Sequence, residues 1–95
     1  MILPFTFVKT PREAEIERRA RRLEAQAGFL PWSDWTDFID EAQDELLDGL
    51  RSRARRLNLR DHKIEKDRSA PAGEVRFICS FISDIDMVHF KIAVL

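Results

Sequence analysis

Seven carboxylates and no base occupy residues 34–50: Asp34, Asp37, Asp40, Glu41, Asp44, Glu45 and Asp48. Asp37, Asp40, Glu41, Asp44 and Asp48 recur at spacings of three and four, which on a helix stacks them along one face. The chemistry open to such a ridge is recognition of a basic protein surface. It is no general acid–base pair, because that role needs one carboxyl buried selectively to raise its pKa. Directly downstream, residues 51–68 carry eight bases against three acids. Arg51, Arg53, Arg55, Arg56, Arg60 and Lys63 in that stretch could instead track the phosphates of a nucleic acid. Asp61, Glu65 and Asp67 interrupt it, and the chain has no Tyr to offer a stacking platform.

Other reactive side chains are few. Cys79 is the single cysteine, so no intramolecular disulfide and no Cys-rich metal framework can form. His62 and His89 are the only histidines, and neither a metal site nor a cofactor is expected. Gly28, Gly49 and Gly73 lie too far apart for a phosphate-cradling loop, and no nucleophile elbow or paired-histidine motif is present. The expectation is a chain without enzymatic activity. Cys79 alternates with Val75, Phe77 and Phe81, which suits a small core residue. Arg76, Ser80, His89 and Lys91 would share the polar face of a closing hairpin. Trp32, beside Pro31 and outside any helix, is a candidate interface anchor, with core packing the alternative.

These residues need elements to hold them. Residues 2–8 (ILPFTFV) alternate as a strand, and Pro4 places it at an edge or near its start. Thr10, Pro11 and Glu13 read as cap, first helical position and capping box of a helix over about 11–27. Its stripe is Ile16, Ala20, Leu23 and Ala27, and Gly28 is the stop. Ser33 is expected to cap a second helix with a core stripe of Trp35, Ile39, Ala42, Leu46 and Leu50 beside Phe38. That helix should outrun the core or bend after about Gly49, with Asn58 as terminator. Residues 59–67 read as a polar edge strand and 69–73 as a loop. Val75–Ile82 and Met87–Val94 both alternate, which predicts a hairpin turning at residues 83–86. The expected fold is α+β, in the order β-α-α-β-β-β, as a single domain over 1–95. An antiparallel sheet of three to four strands would carry two helices on one face.

The net charge of −1, from 16 bases and 17 acids, conceals this segregation of sign. In an antiparallel helical hairpin, Arg18, Arg19, Arg21 and Arg22 would lie near the acidic start of the second helix. Glu13, Glu15 and Glu17 would lie near Arg51, Arg53, Arg55 and Arg56. The ridge therefore faces either its own arginines, solvent or a partner. No apolar run approaches the roughly 20 residues of a membrane helix. The amino terminus lacks a basic leader, so the chain reads as cytoplasmic.

The predicted order β-α-α-β-β-β, with the closing stretch HKIEKDRSAPAGEVRFICSFISDIDMVHFKIAVL, resembles the layout of the RelE/ParE toxin superfamily. Its RNA-cleaving members typically place basic residues and often a Tyr near the carboxy terminus. No residue is carried over, since this chain has no Tyr. The reading taken forward is a non-enzymatic protein-binding module, a small inhibitor or regulator of the kind that phages and mobile elements encode. It would dock a basic partner through Asp37, Asp40, Glu41, Asp44 and Asp48, with Trp32. The alternative is a nucleic-acid-binding or RelE/ParE-toxin-like domain using 51–68. The edge at 2–8, or the closing hairpin, could also pair two copies as a homodimer.

Overall fold

The computed structural model describes residues 2–28, 34–71 and 74–94. The elements are β1 (Phe5–Lys9), α1 (Glu13–Ala27), α2 (Trp35–Arg56), β2 (His62–Lys66), β3 (Phe77–Phe81) and α3 (Asp84–Ala93). The fold is α+β, with three antiparallel strands in the order β1-β3-β2. Two compact units emerge. One comprises Met1–Thr10 with Leu47–Leu95, and the other Pro11–Leu46, so α2 contributes residues to each.

In the first unit, β3 lies between two edge strands. Phe5, Phe7 and Lys9 pair with Phe81, Cys79 and Phe77, which in turn pair with His62, Ile64 and Lys66. Directly paired residues share a face, so these nine side chains lie on one side of the sheet. Ile64, Phe77, Cys79 and Phe81 are buried there. Thr6, Ser80 and Lys63 lie on the other face, and the Thr6 hydroxyl donates to Ser80 Oγ at 3.2 Å. As Pro4 implied, β1 is an edge, and β2 is the polar edge strand expected over 59–67.

The closing hairpin is not formed: residues 84–93 are helix α3. Both flanks of β3 are occupied by β1 and β2, so a strand over 87–94 has no vacant edge beside its neighbour in sequence. A helix satisfies its own backbone and can lie over the apolar face instead. Ser83 is extended and its carbonyl accepts the Met87 N–H at 3.1 Å, while Asp84 and Asp86 suit the first turn. At the other end, Lys9 Nζ donates to the Val94 carbonyl at 2.9 Å. Phe90 is fully buried, its ring centroid 5.3 Å from Phe81 and 5.9 Å from Phe7. Burying one such side chain contributes about 1.5–3 kcal/mol.

The helices correct further expectations. α1 begins at Glu13, with Arg12 rather than Thr10 at the cap position and no side-chain cap bond. The Arg12 backbone is extended, and its carbonyl is the first to accept helical N–H groups, from Glu15 and Ile16. Ile16 and Ala20 are buried, but Ala27 is exposed. Gly28, at φ 71°, ends the helix in a conformation that favours glycine. Ser33 lies outside the described residues. The Asp34 carboxylate accepts the Asp37 N–H at 3.1 Å and caps α2, a bond worth about 1 kcal/mol.

α2 does not outrun the core after Gly49: it runs on to Arg56, with Ala54 fully buried beyond that glycine. Its buried apolar residues are Phe38 and Ala42 in one unit and Leu47 and Ala54 in the other. Trp35 is 39% exposed, and Ile39, Leu46 and Leu50 are half-buried. One helix serving two cores cannot be described by one straight stripe. Asn58 terminates it as expected, in the left-handed region at φ 52° that Asn tolerates.

Candidate functional site

Asp37, Asp40, Glu41, Asp44 and Asp48 all stand exposed on α2. The arginines of α1 do not neutralise them. Arg19 and Arg22 each approach Glu45 Oε2 at 3.6 Å. Arg21 donates to Glu17 at 2.7 Å, and its guanidinium lies 5.7 Å from the centroid of the Trp35 ring. Glu15 lies 3.9 Å from Arg19 on its own helix. Glu15 and Glu17 are thus engaged within α1, and Arg19 and Arg22 turn to the one α2 carboxylate outside the ridge. Among the described residues, Asp37, Asp40, Glu41 and Asp44 have no ion-pair partner, and Asp48 has a 3.9 Å contact with Arg51.

That arrangement has an electrostatic cost. Asp37–Glu41, Asp40–Asp44, Glu41–Glu45 and Asp44–Asp48 are like-charge pairs four residues apart. At about 0.2–0.5 kcal/mol each they destabilise an isolated helix by roughly 1–2 kcal/mol. Only the pair ending on Glu45 is relieved by cations from α1. A basic surface laid on the ridge would relieve the others. Trp32 lies outside the described residues.

The basic candidates are placed differently from one another. Arg51 is a structural residue: its Nε donates to the Ile64 carbonyl at 3.0 Å, satisfying an acceptor on edge strand β2. Arg55 donates to Ser52 Oγ at 3.1 Å, and Lys63 lies 3.4 Å from Glu65. Arg53, Arg56 and Arg60 are exposed with no ion-pair partner among the described residues. The Arg60 backbone N–H donates to Asp86.

The polar sheet face expected from the last third is not assembled. His89 and Lys91 belong to α3, where Lys91 Nζ lies 5.8 Å from the centre of the Phe7 ring. Arg76 is drawn to Asp67, which it approaches at 3.6 Å. The Asp67 carboxylate accepts the Ser69 hydroxyl at 2.6 Å and the Ser69 N–H at 2.9 Å. Those two bonds, hydroxyl first, hold the Asp67 carboxyl below the ordinary carboxylate range. Cys79 is fully buried, and burial pushes its thiol up to about 11, so it is no nucleophile at neutral pH.

Among the described residues, no group of three or more His, Cys, Asp or Glu side chains is placed to hold a metal ion. No helix there is long and apolar enough to cross a membrane. No protein family model, curated protein or solved structure matches the chain. Sequence reasoning overlooked the outer face of α3, where Ile85, Val88 and Ile92 stand exposed. Their spacing of three and four was a signal, masked by the equally regular alternation through Phe90.

Proposed function

We propose that this chain is a non-enzymatic protein-binding module, an inhibitor or regulator that docks a basic partner surface through the acidic face of α2. One observation carries the reading. Asp37, Asp40, Glu41 and Asp44 stand exposed and without an ion-pair partner among the described residues, while the neighbouring arginines Arg19 and Arg22 converge on Glu45. A like-charged row that the fold itself leaves uncompensated is a specificity device, because a basic partner gains there and an acidic one is repelled. The test is capture of the partner from the native host by the wild-type chain and by the D40K/E41K/D44K variant. Loss of a wild-type partner with the circular dichroism spectrum preserved supports the reading, and undiminished capture overturns it.

A second reading rests on Arg53, Arg56 and Arg60, which are exposed and have no ion-pair partner among the described residues. It makes the chain a nucleic-acid-binding, toxin-like domain. Filter retention of RNA or DNA that falls steeply between low and moderate salt would favour it. Retention absent at low salt would end it.

A further inference from the structure

α3 is apolar on two opposite sides. Phe90 is fully buried, and Met87 and, just past the helix end, Val94 are half-buried on the same side. Ile85, Val88 and Ile92 are 70%, 50% and 66% exposed. At 100° per residue these three span a sector of roughly 60°, opposite Phe90 and the inward residues. An apolar helix side is ordinarily covered, and the outer side of α3 has no cover among the described residues. The charges beside this stripe indicate what covers it. Asp84 and Lys91 lie on the same flank, two helical turns apart, one in the first turn and one in the last. When two such helices pack antiparallel, each flank meets its own copy in reversed direction. Asp84 of one copy then comes opposite the exposed Lys91 of the other, twice over, once that ammonium swings from its place 5.8 Å from the centre of its own Phe7 ring, and the two helix dipoles also oppose. In the same packing Ile85 lies opposite Ile92, and Val88 sits near the two-fold axis.

We infer that the outer face of α3 pairs with the same face of a second copy of this chain, forming a two-fold antiparallel dimer through Ile85, Val88 and Ile92. The pairing does not involve the acidic ridge, so the two readings stand or fall separately. A single helix pair is at the small end of specific interfaces, and the dissociation constant expected is about 10 µM or weaker.

Sedimentation equilibrium of the full chain, from about 1 to several hundred µM, brackets that value. The expected result is a concentration-dependent dimer, lost in V88D with an unchanged circular dichroism spectrum. D84K and K91D, each of which breaks both symmetry-related contacts, should each weaken it by about tenfold, the scale of two exposed charge pairs. D84K/K91D, which restores both contacts with signs exchanged, should recover most of the affinity. Under mild oxidation V88C should form an intermolecular disulfide and S69C should not. A chain monomeric throughout the range overturns the proposal, whatever else the stripe binds. So do single charge variants that the double variant fails to rescue, or a V88C chain that does not cross-link.

Discussion

Truncating three neighbouring side chains of α3 separates the helix from the strand that the same residues would otherwise build. Phe90 is fully buried, its ring packed between Phe7 and Phe81. Phe90→Ala removes that burial and leaves a cavity among rigid aromatic neighbours, at about 3–5 kcal/mol. A domain of this size has roughly 5–15 kcal/mol in total, so the variant should be severely destabilised. At about 4–8 °C per kcal/mol, its melting temperature should fall by more than about 10 °C. Val88→Ala and Ile92→Ala remove side chains that are half or more exposed. Each loses little burial and exchanges a β-branched residue for the best helix former, leaving a net change within about 0.5 kcal/mol of zero. In a strand, Val88, Phe90 and Ile92 would share one face, and all three truncations would be costly. Urea titrations followed by far-ultraviolet circular dichroism measure these differences. They should be made at low chain concentration, so that self-association adds nothing. A loss above about 2 kcal/mol for Val88→Ala or Ile92→Ala, or below about 1 kcal/mol for Phe90→Ala, would refute the packing described.

Asp44→Asn removes two like-charge pairs from the ridge and should stabilise the chain by about 0.4–1 kcal/mol at low salt. The gain should shrink in about 1 M salt, and a destabilised variant would mean that Asp44 has a cation partner. The Cys79 thiol should resist Ellman's reagent in the folded chain and react fully after denaturation, whereas rapid labelling without denaturant would contradict its burial. Asp67 is held below the ordinary carboxylate range by Ser69, so the unfolded chain binds its proton first as pH falls. Its contribution is therefore complete above the unfolded pKa of about 4 and disappears as pH drops through the lower folded value. The stability difference between wild type and D67N should be flat near neutrality and narrow on acidification. A difference that persists unchanged in strong acid would exclude this coupling.

The local grammar of the chain was legible where one residue type has one use. Gly28 and Asn58 end helices because each tolerates a positive φ, and Pro4 marks an edge because it has no N–H to donate. The alternation of Phe77, Cys79 and Phe81 sufficed to place a buried strand, and the three- and four-residue spacing of Asp37, Asp40, Glu41 and Asp44 sufficed to put them on one exposed helix face. What the ridge faces was not legible. Ion pairing between helices depends on which of several acids comes within reach of an arginine, and that acid proved to be Glu45.

The carboxy-terminal element was undetermined for a stronger reason. Residues 84–94 carry apolar side chains at periods of both 2 and 3.6, because α3 is apolar on its inner and its outer side. Such a sequence suits strand and helix equally, and local propensity cannot choose between them. The choice came from the sheet. With β1 and β2 on either side of β3, no neighbouring edge remained, while Phe7 and Phe81 still needed cover, and only a helix could supply it through Phe90.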